Sequence, residues 1–301
     1  MTTLQKLGQK NFSNLVFYGN KNNKILILVL CSRNYLSHIS SKAQKKVWTK
    51  ASEEFNIIHY VGSLDSTVRE MNYINENSNK YLTIETGDEY SNIARKTLLA
   101  FEEVTSSYDF DYIFRTNTSS YINFNNLKGF ISNNFEKLDY CGVTSIVEEG
   151  DKIASGSGFF LSRENVNLLV ENKEEFDYTL PDDVAIARLL KKLGKTPKNS
   201  KRKDLKSVPK PSEVFNSLSF HYRCRLDPQY HRMLEPLLMK YIHKAEIKIN
   251  FKIQLRYFLL RAIFFISNIW IFNKIIQKYY SFKFYGELYL GKKVIYQKKQ
   301  I

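Results

Sequence analysis

Short apolar runs alternate with amphipathic stretches along the first two-thirds of the chain. Residues 24–30 form a nearly continuous apolar run after Lys24, which is typical of a buried parallel strand. Further strands are predicted at residues 56–61, 81–84, 111–114 and 139–143. Residues 91–104 carry apolar side chains at a helical spacing, and another helical stretch runs through residues 43–48. This alternation predicts an α/β sheet flanked by helices, with ligands at the carboxyl ends of its strands.

The pattern changes after residue 195. Residues 195–211 are basic and hold three of the six prolines, which predicts a loop. Residues 247–257 alternate apolar and polar side chains as a strand does, yet basic residues recur at every fourth position as on a helix face: Lys240, Lys244, Lys248, Lys252 and Arg256. Periodicity alone leaves strand and helix open. Residues 257–272 are too short and interrupted for a membrane span and favour an amphipathic helix in the membrane plane.

Positive charge is concentrated at the end of the chain. Of the net charge of +15, a surplus of 11 falls in residues 240–301, which hold 13 lysines and arginines against two glutamates. We therefore predict a catalytic body at residues 1–235 and a basic, aromatic, membrane-associating extension at 236–301. An anionic surface is the expected partner, either membrane or nucleic acid. The nearly neutral body carries no nucleic-acid-binding motif, which favours the membrane.

Cysteine usage and the first residues bear on the compartment. Cys31, Cys141 and Cys224 are widely spaced, which argues against a disulfide framework or a structural zinc site and fits a reducing compartment. Residues 1–24 lack the apolar segment of a signal peptide. The sequence therefore predicts a cytoplasmic protein, peripheral at the inner face of the membrane.

Four polar segments follow one another along the chain. They read Asp88-Glu-Tyr-Ser-Asn-Ile-Ala-Arg-Lys-Thr97, Arg115-Thr-Asn-Thr-Ser-Ser-Tyr-Ile-Asn123, Ser155-Gly-Ser-Gly-Phe-Phe-Leu-Ser162, and Pro181-Asp-Asp-Val184 with Leu193-Gly194 following. In order and spacing they resemble the β-1,3-galactosyltransferase and fringe group of GT-A glycosyltransferases, over residues 24–195. The resemblance implies a GT-A, Rossmann-like sheet that binds a nucleotide sugar.

The second segment departs from that family. Arg115 stands at its lysine position, and Asn117, Thr118 and Ser119 replace three acids that hold a divalent ion in the family. Amide and hydroxyl oxygens are poor ligands for hard cations without a carboxylate, so we predict no metal site and no required cofactor, with Mn²⁺ or Mg²⁺ as the alternative. Lys96, Arg115 and cations of the tail would then neutralise the donor diphosphate. Alternatively, residues 117–119 form an ordinary polar turn.

The fourth segment supplies a candidate base. The resemblance places Asp183 where the family has the group that deprotonates the acceptor hydroxyl, and it places Asp182 beside the acceptor sugar. One carboxylate base suits an inverting, single-displacement transfer. On the residues alone, both aspartates also fit a helix start after Pro181, because carboxylates there are favoured by the helix dipole.

Other candidates lie at the remaining polar segments. Residues 155–158 predict a flexible turn close to a ligand, or a tight turn before a core strand. Residues 220–225 alternate bulky and basic side chains, which predicts a strand with one cationic face or a basic edge strand. The predicted sugar-binding residues are Ser155, Gly156, Gly158, Phe159 and Asp182, and the predicted donor-binding residues are Ser32, Arg33, Lys96, Arg115, Asn117, Thr118, Ser119, His221 and Arg223.

The sequence thus predicts an inverting glycosyltransferase. It would move a hexose from a UDP-linked donor to a hydroxyl of a glycan or a lipid-linked saccharide, in the synthesis of cell-surface polysaccharide. The alternative is a non-catalytic, GT-A-like carbohydrate-binding protein that lost its activity with its acids. A nucleic-acid-binding protein is suggested by charge alone.

Overall fold

A computed structural model describes residues 24–48, 51, 54–64, 80–147, 150–227 and 229–267. Within these ranges, ten strands form two sheets: β1 Ile25–Leu30, β2 Asn56–Gly62, β3 Lys80–Ile84, β4 Tyr112–Asn117, β5 Ser120–Ile122, β6 Tyr140–Ile146, β7 Lys152–Ser162, β8 Lys198–Asn199, β9 Lys203–Leu205 and β10 His221–Cys224. The α-helices are α1 Tyr35–Val47, α2 Ile93–Ser107, α3 Phe124–Asn133, α4 Arg163–Glu171, α5 Asp182–Lys192, α6 Pro211–Phe215, α7 Glu235–Ile247 and α8 Phe251–Ser267.

The large sheet has the strand order β3-β2-β1-β4-β7-β6-β8. Strands β3, β2, β1 and β4 run parallel, whereas β7 pairs antiparallel with both β4 and β6. The register pairs Leu30 with Asn117, so the loop after β1 lies next to the turn after β4. The predicted α/β sheet flanked by helices is therefore confirmed, and its polar segments meet at one edge.

Both faces of the large sheet are covered, because side chains alternate along each strand. In β1, Leu26 and Leu28 join a core formed with helices α2, α4 and α5, on one face. Ile27 and Val29 point to the other face and join a second core that includes Leu127 of α3. The continuous apolar run of β1 follows from this burial on both faces.

Residues 155–158 lie inside strand β7, so the prediction of a turn there was wrong. Among the described glycines, positive φ angles occur only at Gly150 and Gly194. The glycines of β7 instead allow close approach of other groups. A Cβ atom on Gly156 would stand 2.9 Å from an oxygen of Asp183, and one on Gly158 would overlap the ring of His221.

A second, three-stranded sheet has the order β5-β10-β9. Strand β9 and the two-residue strand β8 fall within residues 195–211, so the prediction of a loop there was incomplete. Tyr222 and Cys224 of β10 pack into a third core together with α7 and α8. His221 and Arg223 alternate with them along β10 and so project to the opposite face. That opposite face meets strand β7.

From residue 235 the chain forms the two helices α7 and α8, joined by residues 248–250, as far as it is described. Helix α7 buries Leu238, Met239 and Ile242 in the third core, beginning where the predicted domain boundary falls. Helix α8 buries only one side, and residues 268–272 of the predicted amphipathic segment lie outside the described part. No helix in the described ranges is both long and apolar enough to span a bilayer. The division into two domains stays a prediction.

Candidate functional site

The loop after β1 is held by one carboxylate. Asp88 accepts hydrogen bonds from the backbone amides of Arg33 (2.5 Å) and Gly62 (3.0 Å). The ammonium group of Lys96 donates to Asp88 (2.8 Å) and to the carbonyl oxygen of Cys31 (3.0 Å). Lys96 is 1% exposed. The structure therefore places this predicted donor ligand beneath the loop, where its charge stabilises the loop through Asp88.

Ser32 and Arg33 themselves lie at the surface of this edge, partly exposed. The amide of Ser32 donates to the hydroxyl of Ser37 (2.9 Å), and the side chain of Asn34 caps α1 by accepting from the amide of Ser37 (2.8 Å). Two predicted donor-binding residues thus flank the amino end of α1, at the carboxyl end of β1. This is the position where open α/β sheets accommodate ligands.

The turn after β4 satisfies its own polar groups. The side-chain oxygen of Asn117 accepts from the amide (3.1 Å) and hydroxyl (2.9 Å) of Ser119 and from the hydroxyl of Ser120 (3.3 Å). The hydroxyl of Thr118 lies 3.3 Å from that of Ser37. These contacts are those of an Asx turn, the ordinary polar turn that the sequence left open.

The same turn does not fit a divalent cation. Such ions are held by carboxylate and carbonyl oxygens, and the one amide oxygen here, on Asn117, already accepts three hydrogen bonds. Within the described ranges, no three His, Cys, Asp or Glu side chains lie together in a way that would hold a metal. No chemical step is therefore assigned to a metal at this turn, and the absence of a required cofactor stays a prediction.

Arg115 and Asp182 form an ion pair inside the core. The guanidinium of Arg115 donates to Asp182, to the carbonyl oxygen of Gly156 and to the hydroxyl of Tyr60 (3.3 Å). Asp182 also accepts from the hydroxyl of Thr97 (2.9 Å). Burial opposes the charge of Arg115, yet Asp182 keeps the pKa of the guanidinium above its ordinary value. Both side chains are buried, so neither presents a surface to a ligand in this structure.

Asp183 differs from its neighbour because it stays partly exposed. One carboxylate oxygen accepts from the amide of Gly156 (2.7 Å), and the other accepts from the amide of Val184 (3.1 Å) in the first turn of α5. The carboxylate is therefore fixed between β7 and the amino end of α5. Of the two adjacent aspartates, only Asp183 is accessible to solvent.

Strand β7 lines the site with hydroxyl groups. Ser155 and Ser157, whose hydroxyl oxygens lie 3.1 Å apart, stand on either side of Gly156. Phe159 is buried, and Arg115 lies 5.6 Å from the centre of its ring. Neither this ring nor that of Phe160 has a face open to a sugar in this structure. Gly158 contacts His221 rather than solvent.

His221 is a buried, neutral ring. Its Nε2 atom lies 3.0 Å from the hydroxyl of Ser120. Burial, followed by the charges of Arg202 and Arg223, lowers the pKa of His221 well below its ordinary value. The histidine therefore acts as a hydrogen-bonding group that connects β10 to the turn after β4. In this structure it offers no positive charge to a diphosphate.

Arg202 is a site residue that the sequence prediction missed. Its guanidinium donates to the hydroxyls of Ser155 (3.0 Å) and Ser157 and to both carboxylate oxygens of Asp204 (2.8 and 3.2 Å). The only signal in the sequence was the basic composition of residues 195–211, which does not single out one side chain. Arg223 of β10 lies near it, half-buried.

The structure brings one set of predicted residues together and separates another. A chain of polar contacts runs from Asp183 through Gly156 and the two serines of β7 to the turn after β4, because the hydroxyls of Thr116 (2.8 Å) and Ser120 (3.0 Å) donate to the carbonyl of Ser157. Of these groups, Ser157, Thr116 and Ser120 are buried. Further candidates are also buried inside the protein: Lys96, Arg115, Phe159, Asp182 and His221.

Comparison with protein families gives a match in the same part of the chain. The model of the galactosyltransferase family matches residues 42–155, which confirms the predicted resemblance over that range. The range contains the first two polar segments and ends at Ser155. Asp183, Arg202 and Arg223 lie beyond it. No curated protein matches the chain significantly.

Solved structures give weaker likenesses. A glycosyltransferase involved in the glycosylation of the major capsid of PBCV-1 is 11% identical with a TM-score of 0.46, covering 71% of this chain and 99% of that one. The galactosyltransferase LgtC, in complex with donor and acceptor sugar analogues, is 9% identical with a TM-score of 0.42, covering 76% and 99%. HddC from Yersinia pseudotuberculosis is 10% identical with a TM-score of 0.41, covering 71% and 99%. These similarities are too low to transfer any property to this chain.

Proposed function

We propose that this protein is a glycosyltransferase and that Asp183 is its catalytic base. The family match over residues 42–155 supports a glycosyltransferase. The observation that carries the proposal is the contrast between two adjacent carboxylates. Asp182 is buried in an ion pair, whereas Asp183 is fixed by two backbone amides and remains accessible. A carboxylate that is oriented but accessible is what proton transfer requires.

The proposed reaction is a single displacement. Asp183 accepts the proton of an acceptor hydroxyl while that oxygen bonds to the anomeric carbon of the donor sugar. The bond from this carbon to the diphosphate breaks, and the nucleoside diphosphate leaves with the electron pair. Because attack and departure occur on opposite faces, the configuration at the anomeric carbon inverts. The protein contributes a positioned base and, through Gly156, a fixed distance between that base and strand β7.

The donor and acceptor classes come from the family resemblance. We propose a UDP-linked hexose as donor and a hydroxyl of a glycan or lipid-linked saccharide as acceptor, with a β-1,3-galactosyl transfer as the specific form. Ser32 and Arg33, partly exposed at the carboxyl end of β1, are the residues proposed to contact the nucleotide. The hydroxyls of Ser155 and Thr118 are proposed to contact the sugars.

We also propose that helix α8 binds an anionic membrane surface. Phe251, Phe258 and Phe265 recur every seventh residue and are strongly exposed, the last two by 62% and 71%. Lys252 and Arg256 lie on the same helix, and more lysines follow in residues 268–301. Exposed apolar side chains flanked by cations are typical of helices that lie in a membrane interface. A lipid-linked acceptor would be found at such a surface.

A non-catalytic carbohydrate-binding protein is the second candidate. The observation that favours it is the turn after β4, where an Asx turn takes the place of metal-binding acids. Such a protein would bind a sugar nucleotide or glycan without turnover. It would also leave Asp183 without a chemical role, so that replacing this residue would change little.

The activity test is a donor screen with the Asp183→Asn variant. Purified protein is incubated with a panel of UDP-sugars and glycan or lipid-linked acceptors, and release of UDP is measured with Mn²⁺ and with EDTA in parallel. We expect acceptor-dependent release that falls at least ~100-fold in Asp183→Asn, the scale of general-base catalysis. Asp177→Asn, on an exposed loop, is the matched control and keeps full activity. Binding without turnover in the wild type would support the second candidate.

The membrane test uses liposomes and the full chain. We expect binding to vesicles that contain phosphatidylglycerol, weakened by salt and by the double replacement of Phe258 and Phe265 with serine. Leu218→Ser is the matched control, since Leu218 is also strongly exposed but lies outside α8. Equal binding by the double variant and the control would contradict the role of α8. Such a result would indicate that other residues of the chain cover the apolar face of α8.

A further inference from the structure

Arginines outnumber the acids paired with them beside the site, among the described residues. Arg202 precedes β9, Arg223 lies in the centre of the small sheet, and Arg225 follows β10. Arg202 and Arg225 both lie within electrostatic reach of Arg223. Arg232 is also near but is paired with Glu235 (3.1 Å). We call residues 202, 223 and 225 the arginine cluster.

The fixed member of the cluster is Arg202. Its side chain is only 4% exposed, and Asp204 accepts hydrogen bonds from it through both carboxylate oxygens. Its remaining donors are directed to the hydroxyls of Ser155 and Ser157. Asp204 therefore compensates the charge of Arg202, and the charges of the other two arginines are left over.

Arg223 is the member whose contacts are incomplete. The strand register places it between Ser120 and Asp204. Its Nε atom is buried and has no hydrogen-bond partner among the described residues. Burial, then the charges of Arg202 and Arg225, lower the pKa of Arg223, while Asp204 opposes the shift. A half-buried guanidinium with an unused donor and neighbouring positive charges is stabilised by an anion.

The cluster is linked to the proposed catalytic carboxylate through strand β7. The two serines bound by Arg202 flank Gly156, whose amide holds Asp183. Burial and the negative charge of Asp183 raise the pKa of Tyr90, and Arg225 lowers it. Tyr90 therefore lies within electrostatic reach of both Asp183 and Arg225.

We propose that the arginine cluster binds a diphosphate group. The arginines supply the positive charge that a metal ion would otherwise provide, because the turn after β4 does not fit a metal ion. Three arginines against the one aspartate paired with them leave two positive charges, which are opposite in sign to the charge of a diphosphate and similar to it in size. The planar fork of arginine also fits a phosphate group, because its N–H groups donate two hydrogen bonds in one plane to the phosphate oxygens. This inference rests on the proposed function for the identity of the ligand. The diphosphate belongs either to the nucleotide donor or to a lipid-linked acceptor.

The experiment measures binding of inorganic pyrophosphate, UDP, uridine and geranyl diphosphate by titration calorimetry, with EDTA throughout. We expect the wild type to bind pyrophosphate and Arg223→Gln to bind it about 10- to 100-fold more weakly, because charged hydrogen bonds are lost. Arg223→Lys keeps the charge but not the fork and should fall between them. Arg188→Gln, in the partly buried pair with Asp151, is the matched control.

The two sources of the diphosphate are separated by the organic ligands. If UDP binding weakens with Arg223→Gln while uridine binding does not, the nucleotide is the ligand. If Arg223→Gln weakens the binding of geranyl diphosphate but not that of UDP, the lipid-linked acceptor is the ligand. A melting experiment adds an independent measurement: pyrophosphate should raise the melting temperature of the wild type but not of Arg223→Gln, which should itself melt no lower than the wild type without ligand.

Three results would overturn the inference: no pyrophosphate binding by the wild type in EDTA, equal binding by Arg223→Gln and the wild type, or an equal loss in Arg188→Gln. The proposed function fails separately. If no sugar is transferred but pyrophosphate binding depends on Arg223, the anion site stands and the transferase does not. If transfer occurs and is unaffected by Arg223→Gln, the transferase stands and the anion site does not.

Discussion

Replacement of Asp182 by asparagine would leave Arg115 charged inside the core without its counter-ion. Asparagine keeps the shape of aspartate and can still accept the hydrogen bond from Thr97, so the change removes a charge and little else. Leaving one member of a buried ion pair uncompensated costs about 3–5 kcal/mol. That is a large share of the ~5–15 kcal/mol that stabilises a typical domain. We therefore expect the free energy of unfolding to fall by about 3–5 kcal/mol.

The assay is urea unfolding followed by circular dichroism, with thermal melting in parallel. A loss of this size lowers the melting temperature by roughly 10 °C in a domain of this length. Glu102→Gln is the matched control, because it breaks a pair with Lys173 in which both side chains are well exposed. Such surface pairs contribute less than about 1 kcal/mol.

A double variant separates the charge from the packing. Replacing Arg115 with methionine and Asp182 with leucine removes both charges, and well-packed apolar residues often replace a buried pair without loss. We expect this double variant to be more stable than Asp182→Asn. The reasoning is refuted if Asp182→Asn loses no more stability than Glu102→Gln, or if the double variant is as unstable as the single one.

Three further predictions concern stability. Lys96→Met removes the cation that pairs with Asp88, the carboxylate that holds the loop after β1. The free energy of unfolding, measured by urea unfolding, should fall by about 3 kcal/mol. A loss within error of zero would contradict the buried contact. Burial raises the pKa of Glu235 from 4.5 to about 7, although Arg232 opposes the shift, so the folded protein keeps a proton that the unfolded chain releases. The stability contributed by Glu235 is therefore present below pH ~4.5 and lost as the pH rises through ~7, about 2–3 kcal/mol between pH 5 and 8; Glu235→Gln should flatten the measured pH dependence, and an unchanged slope would argue against it. Gly158→Ala places a methyl group against the ring of His221 and should cost about 1–3 kcal/mol, whereas Gly129→Ala, in open space on α3, should be neutral or stabilising in the same melting experiment.

Much of the fold could be predicted because it depends on neighbours along the chain. The apolar run of β1 and the helical spacing of α2 are local patterns, and both elements were predicted at their observed places. The long basic segment after residue 195 was harder. Strand β9 has three residues and exists only because β10 lies beside it, so no local pattern marks it. Likewise, the periodicity of residues 247–257 fitted two structures, and packing against α7 accompanies the helical one.

The site was predicted in part. The sequence by itself determined which polar segments exist and, through the α/β alternation, that they meet at the carboxyl ends of the strands. It could not determine which charged side chains face inward. Arg115 and Asp182 are 67 residues apart, and Lys96 and Cys31 are 65 apart, so only the pairing of distant strands and helices brings them together. Tertiary structure alone decided that Asp182 is buried while Asp183 is accessible, because adjacent residues of a helix point in different directions and only one of these two directions leads into the core.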